Sequence, residues 1–114
     1  MIHPTQLKSE YLSNPVSIEE THPRLSWDLQ TQKAVSTKQS AYQVRVTKTR
    51  NGFNDSHQSM LWDSGKIESD QNLGIVYKGT EIEPYEVAYW QVRVWDDNDR
   101  VGEWSETASW GLGP

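Results

Sequence analysis

The side chains of this chain that could do chemistry are 16 carboxylates, 3 histidines and 6 tryptophans, with no cysteine among its 114 residues. General acid–base catalysis needs two carboxyl groups facing each other across a cleft, one of them with a raised pKa. Asp63, Asp96, Asp97 and Asp99 instead fall at strand ends and in turns, where solvated carboxylates are ordinary. The densest acidic run is Asp96-Asp97-Asn98-Asp99. Calcium takes about six to eight oxygen ligands, often from alternating acidic positions. A calcium loop of the EF-hand type counted from Asp96 would need glycine and glutamate where the chain has Val101 and Thr107. The run is therefore expected to be a turn, because Asn and Asp tolerate positive φ. His3, His22 and His57 lie in three separate polar segments without a partner at helical or strand spacing. They indicate neither zinc nor a Ser-His-Asp arrangement and are expected at the surface. Without a thiol there is no disulfide and no thiolate metal site. No catalytic, metal or cofactor residue is expected. Asn54-Asp55-Ser56 fits the N-glycosylation triplet, a pattern short enough to recur by chance.

The tryptophans leave more open, since exposed aromatics both stack on sugar rings and seal protein interfaces. Trp27 shares a face with Leu25 and Leu29, and Trp90 with Val92 and Val94, so both are expected in the core. Trp95 points away from that set, beside Arg93, where it either stacks in a cation–π ladder or meets another domain. Trp62, on a short edge strand, is equally open. Trp62 and Trp95 are the candidate domain-interface or sugar-contact residues, and Trp104 is expected to lie over an outer face.

What must position these residues is a set of short strands. In Tyr89-Trp90-Gln91-Val92-Arg93-Val94-Trp95-Asp96 the side chains alternate strictly, the period of a strand buried on one side. Six further runs read as strands between turn clusters: Gln6 to Leu12, with Leu7, Ser9 and Tyr11 on one face; Arg24 to Leu29; Ala41 to Lys48; Met60 to Asp63; Leu73 to Tyr77, with Leu73, Ile75 and Tyr77 on one face; and Thr107 to Leu112. No sustained helical stripe interrupts them. The fold class predicted is all-β, a seven-stranded sandwich of immunoglobulin or fibronectin type III-like kind. Residues 1–5 are expected as an N-terminal tail, 6–112 as the sandwich, and Gly113-Pro114 as the start of a linker to a following domain.

Composition narrows the partners. With 34% apolar residues but 6 Trp and 5 Tyr, the core must be built from few, large side chains. The net charge of −5, with 11 dispersed Lys and Arg, argues against nucleic acid. No apolar run reaches the roughly 20 residues that span a bilayer, and Met1-Ile2-His3-Pro4 lacks the start of a signal peptide. Met1 is then either a native cytoplasmic start, or the chain is a piece of a longer exported protein.

The inward Trp of Leu25-Ser26-Trp27, the strand Trp90 to Val94 and the turn Gly102-Glu103-Trp104-Ser105 resemble the fibronectin type III pattern. A narrower likeness lies in the order Pro23-Arg24-Leu25-Ser26-Trp27, Ala41-Tyr42-Gln43-Val44, Leu61-Trp62-Asp63-Ser64-Gly65-Lys66-Ile67 and Tyr89 to Asp96. In that ensemble, from Leu7 to about Gly111, the chain resembles the N-terminal fibronectin-like module of bacterial α-L-rhamnosidases, the family-78 glycoside hydrolases. The resemblance implies a module that precedes further β domains and an α/α barrel, with the acids that hydrolyse terminal rhamnose residing in the barrel. It implies a scaffold or spacer whose partners are other domains of the same polypeptide and, through the parent protein, a rhamnose-containing glycan. The polar loop Thr49 to Ser59 is the part least like the family. Two rivals remain at this point, an independent carbohydrate-binding module using Trp62 and Trp95, and a protein-binding fibronectin-like domain.

Overall fold

The chain's structure, a computed structural model, describes residues 2–31, 38–53 and 60–114. The described residues form seven strands: β1 (Ile2–Ser9), β2 (Arg24–Thr31), β3 (Gln39–Thr47), β4 (Met60–Asp63), β5 (Ile75–Val76), β6 (Val87–Asp96) and β7 (Ala108–Gly111). They make one sheet in the order β1-β2-β5 and another in the order β4-β3-β6-β7, with antiparallel pairing throughout. The architecture is the all-β sandwich that the alternation of β6 predicts. Trp90, Val92 and Val94 are fully buried, while Tyr89, Gln91, Arg93 and Trp95 lie half-buried on the opposite face. The β3 register sets Tyr42, Val44 and Val46 beside Val94, Val92 and Trp90, so one apolar face is shared across two strands.

Aromatic rings join the two sheets. Trp27 of β2 meets Tyr42 of β3 edge to face at 5.4 Å, and Tyr77 meets Trp110 of β7 at 5.0 Å. Burying an indole of roughly 200 Å² contributes about 5 kcal/mol of gross transfer energy, an upper bound because the unfolded chain already hides part of it. The Trp27 Nε1–H donates to Gln39 Oε1 at 3.1 Å, and Gln39 Nε2 in turn donates to the carbonyls of Ser69 and Gln71 at 3.0 and 2.9 Å. Gln39 is thus a buried amide with both ends satisfied, tying the chain that leads into β5 to the core.

Two strands differ from expectation for identifiable backbone reasons. β1 begins at Ile2, not Gln6, so residues 2–5 are strand and not tail, and Ile2 and Pro4 are buried. A bulge between Thr5 and Lys8, with Gln6 at φ 52°, shifts the phase of the side chains. The strand then ends at Ser9, which exchanges two backbone hydrogen bonds with Leu12 around Glu10 and Tyr11, both at positive φ. That is a two-residue hairpin turn, and it takes Tyr11 off the face expected to be shared with Ser9, leaving Tyr11 exposed while Ser9 is buried. Arg24 fastens the turn, donating from Nε and Nη2 to the Glu10 carboxylate and lying over the Tyr11 ring. The other departure is β5. Gly74 at φ 73° turns Leu73 out to solvent, so only Ile75 and Val76 pair with β2, although Ile75 and Tyr77 still face inward.

The last residues of the chain are held against residues 14–18. The free edge of β7 is covered by residues 14–18: Gly111 N–H donates to Pro15 O, Ile18 N–H to Gly111 O and Gly113 N–H to Ile18 O, at 2.8 to 2.9 Å. Ile18 and Leu112 run parallel. On the other side Tyr85 N–H donates to Leu112 O and Leu112 N–H to Glu86 O. Gly113, expected to open a linker, is therefore buried within this clamp, and only Pro114 beyond it is exposed.

Candidate functional site

The outer face of the larger sheet carries the densest functional-looking chemistry. Gly102 N–H donates to Val94 O and Ser105 N–H to Val92 O, while Ser105 Oγ accepts from Val92 N–H. This lays the Gly102-Glu103-Trp104-Ser105 turn along β6 and drops the Trp104 ring over the outward side chains of β3 and β6, as the motif predicts. Arg45 Cζ lies 3.9 Å and Arg93 Cζ 4.6 Å from the Trp104 ring centre. The stack extends in both directions: Arg45 also covers Phe53 at 4.8 Å, and Trp95 lies between Arg93 at 5.3 Å and Lys66 at 5.1 Å. Cations and rings alternate, so each guanidinium faces a π surface and two positive groups are kept apart. Burial and the neighbouring Arg93 charge still pull the Arg45 pKa down. Gln91 Oε1 accepts two hydrogen bonds from Arg45, and Gln43 Oε1 accepts one from Arg93, which fixes the planes of both forks. Of the two candidate roles for Trp95, the geometry supplies the ladder.

Trp62 lies elsewhere. It is opposite Val46, which is itself opposite Trp90, so Trp62 is on the inner face of the sheet. Its ring meets Tyr77 edge to face at 5.4 Å, and it forms one wall of a cleft of about 420 Å³ between β4 and β5. Trp95 is on the outer face, so the fold does not bring Trp62 and Trp95 onto one sugar-stacking platform.

Two of the carboxylates are committed to local structure. Asp96 is buried, and its Oδ1 accepts the backbone N–H groups of Asn98 and Arg100, both at 2.9 Å, closing the acidic turn. Those bonds hold its carboxyl below the ordinary range. Glu10 borders a shallow hollow with Glu19 and Glu20, yet the Arg24 fork holds it below the ordinary range too. Both displacements are the reverse of what a general acid requires. A concavity of about 460 Å³ between β1 and β7 has Glu106 as the one carboxylate among its described lining residues. Among the described residues no group of three or more His, Asp and Glu side chains could hold a metal ion.

His22 lies at the surface, as expected, with its side chain 40% exposed, but it is bonded there. Its Nδ1 lies 2.9 Å from Tyr77 O and Nε2 3.0 Å from Glu81 Oε2. Both neighbours are acceptors, so only the imidazolium satisfies them together, and its pKa is raised. His57 and the Asn54-Asp55-Ser56 triplet lie outside the described residues. Sequence reasoning missed the His22 bridge because Glu81 is distant along the chain and only the path of Tyr77 into the core brings it near.

His22 and Asp96 shape the pH profile of stability, and Glu10, held low by the Arg24 fork, adds to its acid limb. The His22 contribution is complete below its ordinary value of 6.5 and is lost as pH rises through the higher folded value. The Asp96 contribution is present above its ordinary 3.8 and is lost as pH falls through the lower folded value. Urea midpoints measured across pH should therefore decline at both ends, with His22→Gln flattening the alkaline limb and Asp96→Asn the acid limb. An unchanged alkaline limb in His22→Gln would show that the imidazolium bridge does not form in solution.

Comparison with known proteins places this architecture. The family model described as "Rha78A-like, N-terminal immunoglobulin domain" matches residues 4–114. An α-L-rhamnosidase of Streptomyces avermitilis is 40% identical over 104 residues, spanning 91% of this chain and 10% of the relative. One from Alteromonas sp. (strain LOR) is 39% identical over 111 residues, spanning 96% of this chain and 12% of the relative. The crystal structure of the Streptomyces avermitilis α-L-rhamnosidase complexed with L-rhamnose superposes with a TM-score of 0.90 at 36% identity, covering 99% of this chain and 11% of that one. The chain thus spans about a tenth of the length of these relatives. With the sandwich, the Trp27 and Trp90 core and the Trp104 turn all in place, the chain belongs to the family of Rha78A-like N-terminal immunoglobulin domains.

Proposed function

We propose that the chain is a non-catalytic N-terminal module of an α-L-rhamnosidase-like glycoside hydrolase, a scaffold that packs on neighbouring domains and helps to position the catalytic one. The observation that carries this reading is the match of nearly the whole chain to about a tenth of each relative. What a small sandwich contributes to such an assembly is surface: a rigid body whose faces bury apolar area against the rest of the polypeptide. Glycoside hydrolysis needs two carboxyl groups about 5 to 9.5 Å apart around a sugar-sized cleft. The commitment of Asp96 to its own turn and of Glu10 to Arg24 speaks for bond-breaking residues elsewhere in the protein.

The test is an assay on an aryl α-L-rhamnoside with the 114-residue chain beside the longer polypeptide that contains it. The longer polypeptide is expected to release the aryl group and the short chain to give no turnover above buffer. Turnover by the short chain that disappears on unfolding it would overturn the reading.

A further inference from the structure

Three exposed apolar side chains surround the point where the chain leaves the fold. Val16 is 89% exposed, Tyr85 77% and Val87 38%. Val16 belongs to the segment covering one edge of β7, and Val87 pairs with Gly111 on the other edge. Tyr85 is hydrogen-bonded through its N–H to Leu112 O at 2.7 Å. The backbone between them is pinned from both sides, and Gly111 approaches so closely that a Cβ there would lie 2.4 Å from Val16 O. Whatever follows Pro114 therefore emerges in a fixed direction with these three side chains beside it.

Tyr85 carries a second signal. Glu86 N–H donates to Glu83 O at 3.0 Å, which closes a four-residue turn with Pro84 in its second position and Tyr85 in its third at φ 71°. That third position of a type II turn ordinarily takes glycine or asparagine, because a side chain at positive φ is strained. An aromatic residue here fills no space inside the module, since its ring is in solvent. Strain held by a side chain without an internal contact points to a contact outside.

We propose that Val16, Tyr85 and Val87 form a collar that seats the domain directly following this module in the longer polypeptide. The assignment rests on the functional reading above. The occupant is fixed by continuity: the relatives are about ten times the matched length, and the matched family is N-terminal within them. Tethering supplies a high effective concentration, so a small apolar patch suffices where a free partner would need a larger one. Glu83 and Glu86, both exposed, rim the collar, so the partner surface is an apolar hollow bordered by Lys or Arg.

Hydroxyl-radical footprinting compares Tyr85 in the 114-residue chain and in the longer polypeptide, with exposed Tyr11 and Leu73 as internal controls. Tyr85 oxidation should fall by about fivefold or more once the contact excludes water, with both controls unchanged. Equal oxidation of Tyr85 in the two proteins, or the same protection at Tyr11 and Leu73, would overturn the assignment. Tyr85→Gly supplies an independent check with opposite signs. It should raise the melting temperature of the short chain by relieving the turn, and speed protease cleavage just beyond Pro114 in the longer polypeptide. A lowered melting temperature, or cleavage at the parental rate, would also overturn it. If the longer polypeptide does not hydrolyse rhamnosides, the functional reading fails while the footprint still reports whether Tyr85 is covered.

Discussion

Trp27→Ala is expected to destabilise the domain by about 5 kcal/mol, enough to unfold most molecules if the total lies near the low end of the usual range of about 5 to 15 kcal/mol. Two losses combine. Removing a buried indole from a close-packed interior leaves a cavity bounded by Tyr42, which costs about 3 to 5 kcal/mol. It also leaves Gln39 Oε1 without its donor, and an unsatisfied buried acceptor adds about 1 to 3 kcal/mol unless water enters the cavity. Trp27→Phe separates the terms, since it keeps a ring against Tyr42 but has no N–H, and should lose roughly half as much. Urea unfolding followed by tryptophan fluorescence measures both. A loss under about 2 kcal/mol for Trp27→Ala would mean that the sheets are held by something other than these rings.

Gly79→Ala is expected to cost about 3 kcal/mol, a large effect for one methyl group. A Cβ built on Gly79 would lie 2.4 Å from Trp62 Cβ, 2.6 Å from Leu61 O and 2.7 Å from Tyr77 Cε1. These atoms belong to a side chain, a backbone carbonyl and a core ring, so no single rotamer change relieves all three. The Leu61 carbonyl also accepts the Thr80 N–H that secures the outer edge of β4, and displacing it should loosen that edge. Gly65→Ala is the matched control: nothing lies within 4 Å of its Cβ position, and only its φ of 67° opposes the change, at about 1 to 2 kcal/mol. Near-UV circular dichroism should report a shifted Trp62 in Gly79→Ala and none in Gly65→Ala. Equal costs for the two substitutions would contradict the close packing around Trp62.

The central strands were legible in the sequence because their burial depends on period alone. Trp90, Val92 and Val94 alternate with polar neighbours, and no turn chemistry interrupts β3 or β6, so pattern and structure agree. β1 was misplaced because two backbone events leave little trace in residue type. Its hairpin turn uses Glu10-Tyr11 where Asn-Gly would have announced positive φ, and the bulge at Gln6 breaks the alternation that marks a strand. Pro4 is tolerated in β1 because an edge position can lack an N–H. The shortened β5 has the same origin, since Gly74 reverses the direction in which Leu73 points.

For the candidate site, the ladder was half visible. Arg93 and Trp95 share a strand face, and the Gly-x-Trp-Ser turn predicts an overlying Trp104. Arg45 enters only through the β3–β6 register, and Lys66 only through a loop. The faces of Trp62 and Trp95 follow from strand pairing, which no local pattern reveals. The Tyr85 turn was hidden for the reason that makes it informative, because a tyrosine occupies a position whose geometry calls for glycine.

The parallel run of residues 14–18 along β7 has a mechanical consequence. Tension applied between residues 14–18 and Pro114 would act along this run and load the backbone bonds joining Pro15 and Ile18 to Gly111 and Gly113 lengthwise and together. A pair of strands pulled in shear must break several bonds at once, whereas one peeled from an end gives way one bond at a time. A tug on Pro114 would thus be shared by the bonds to residues 14–18 on one side and to Tyr85 and Glu86 on the other, so the end of the chain does not peel away bond by bond.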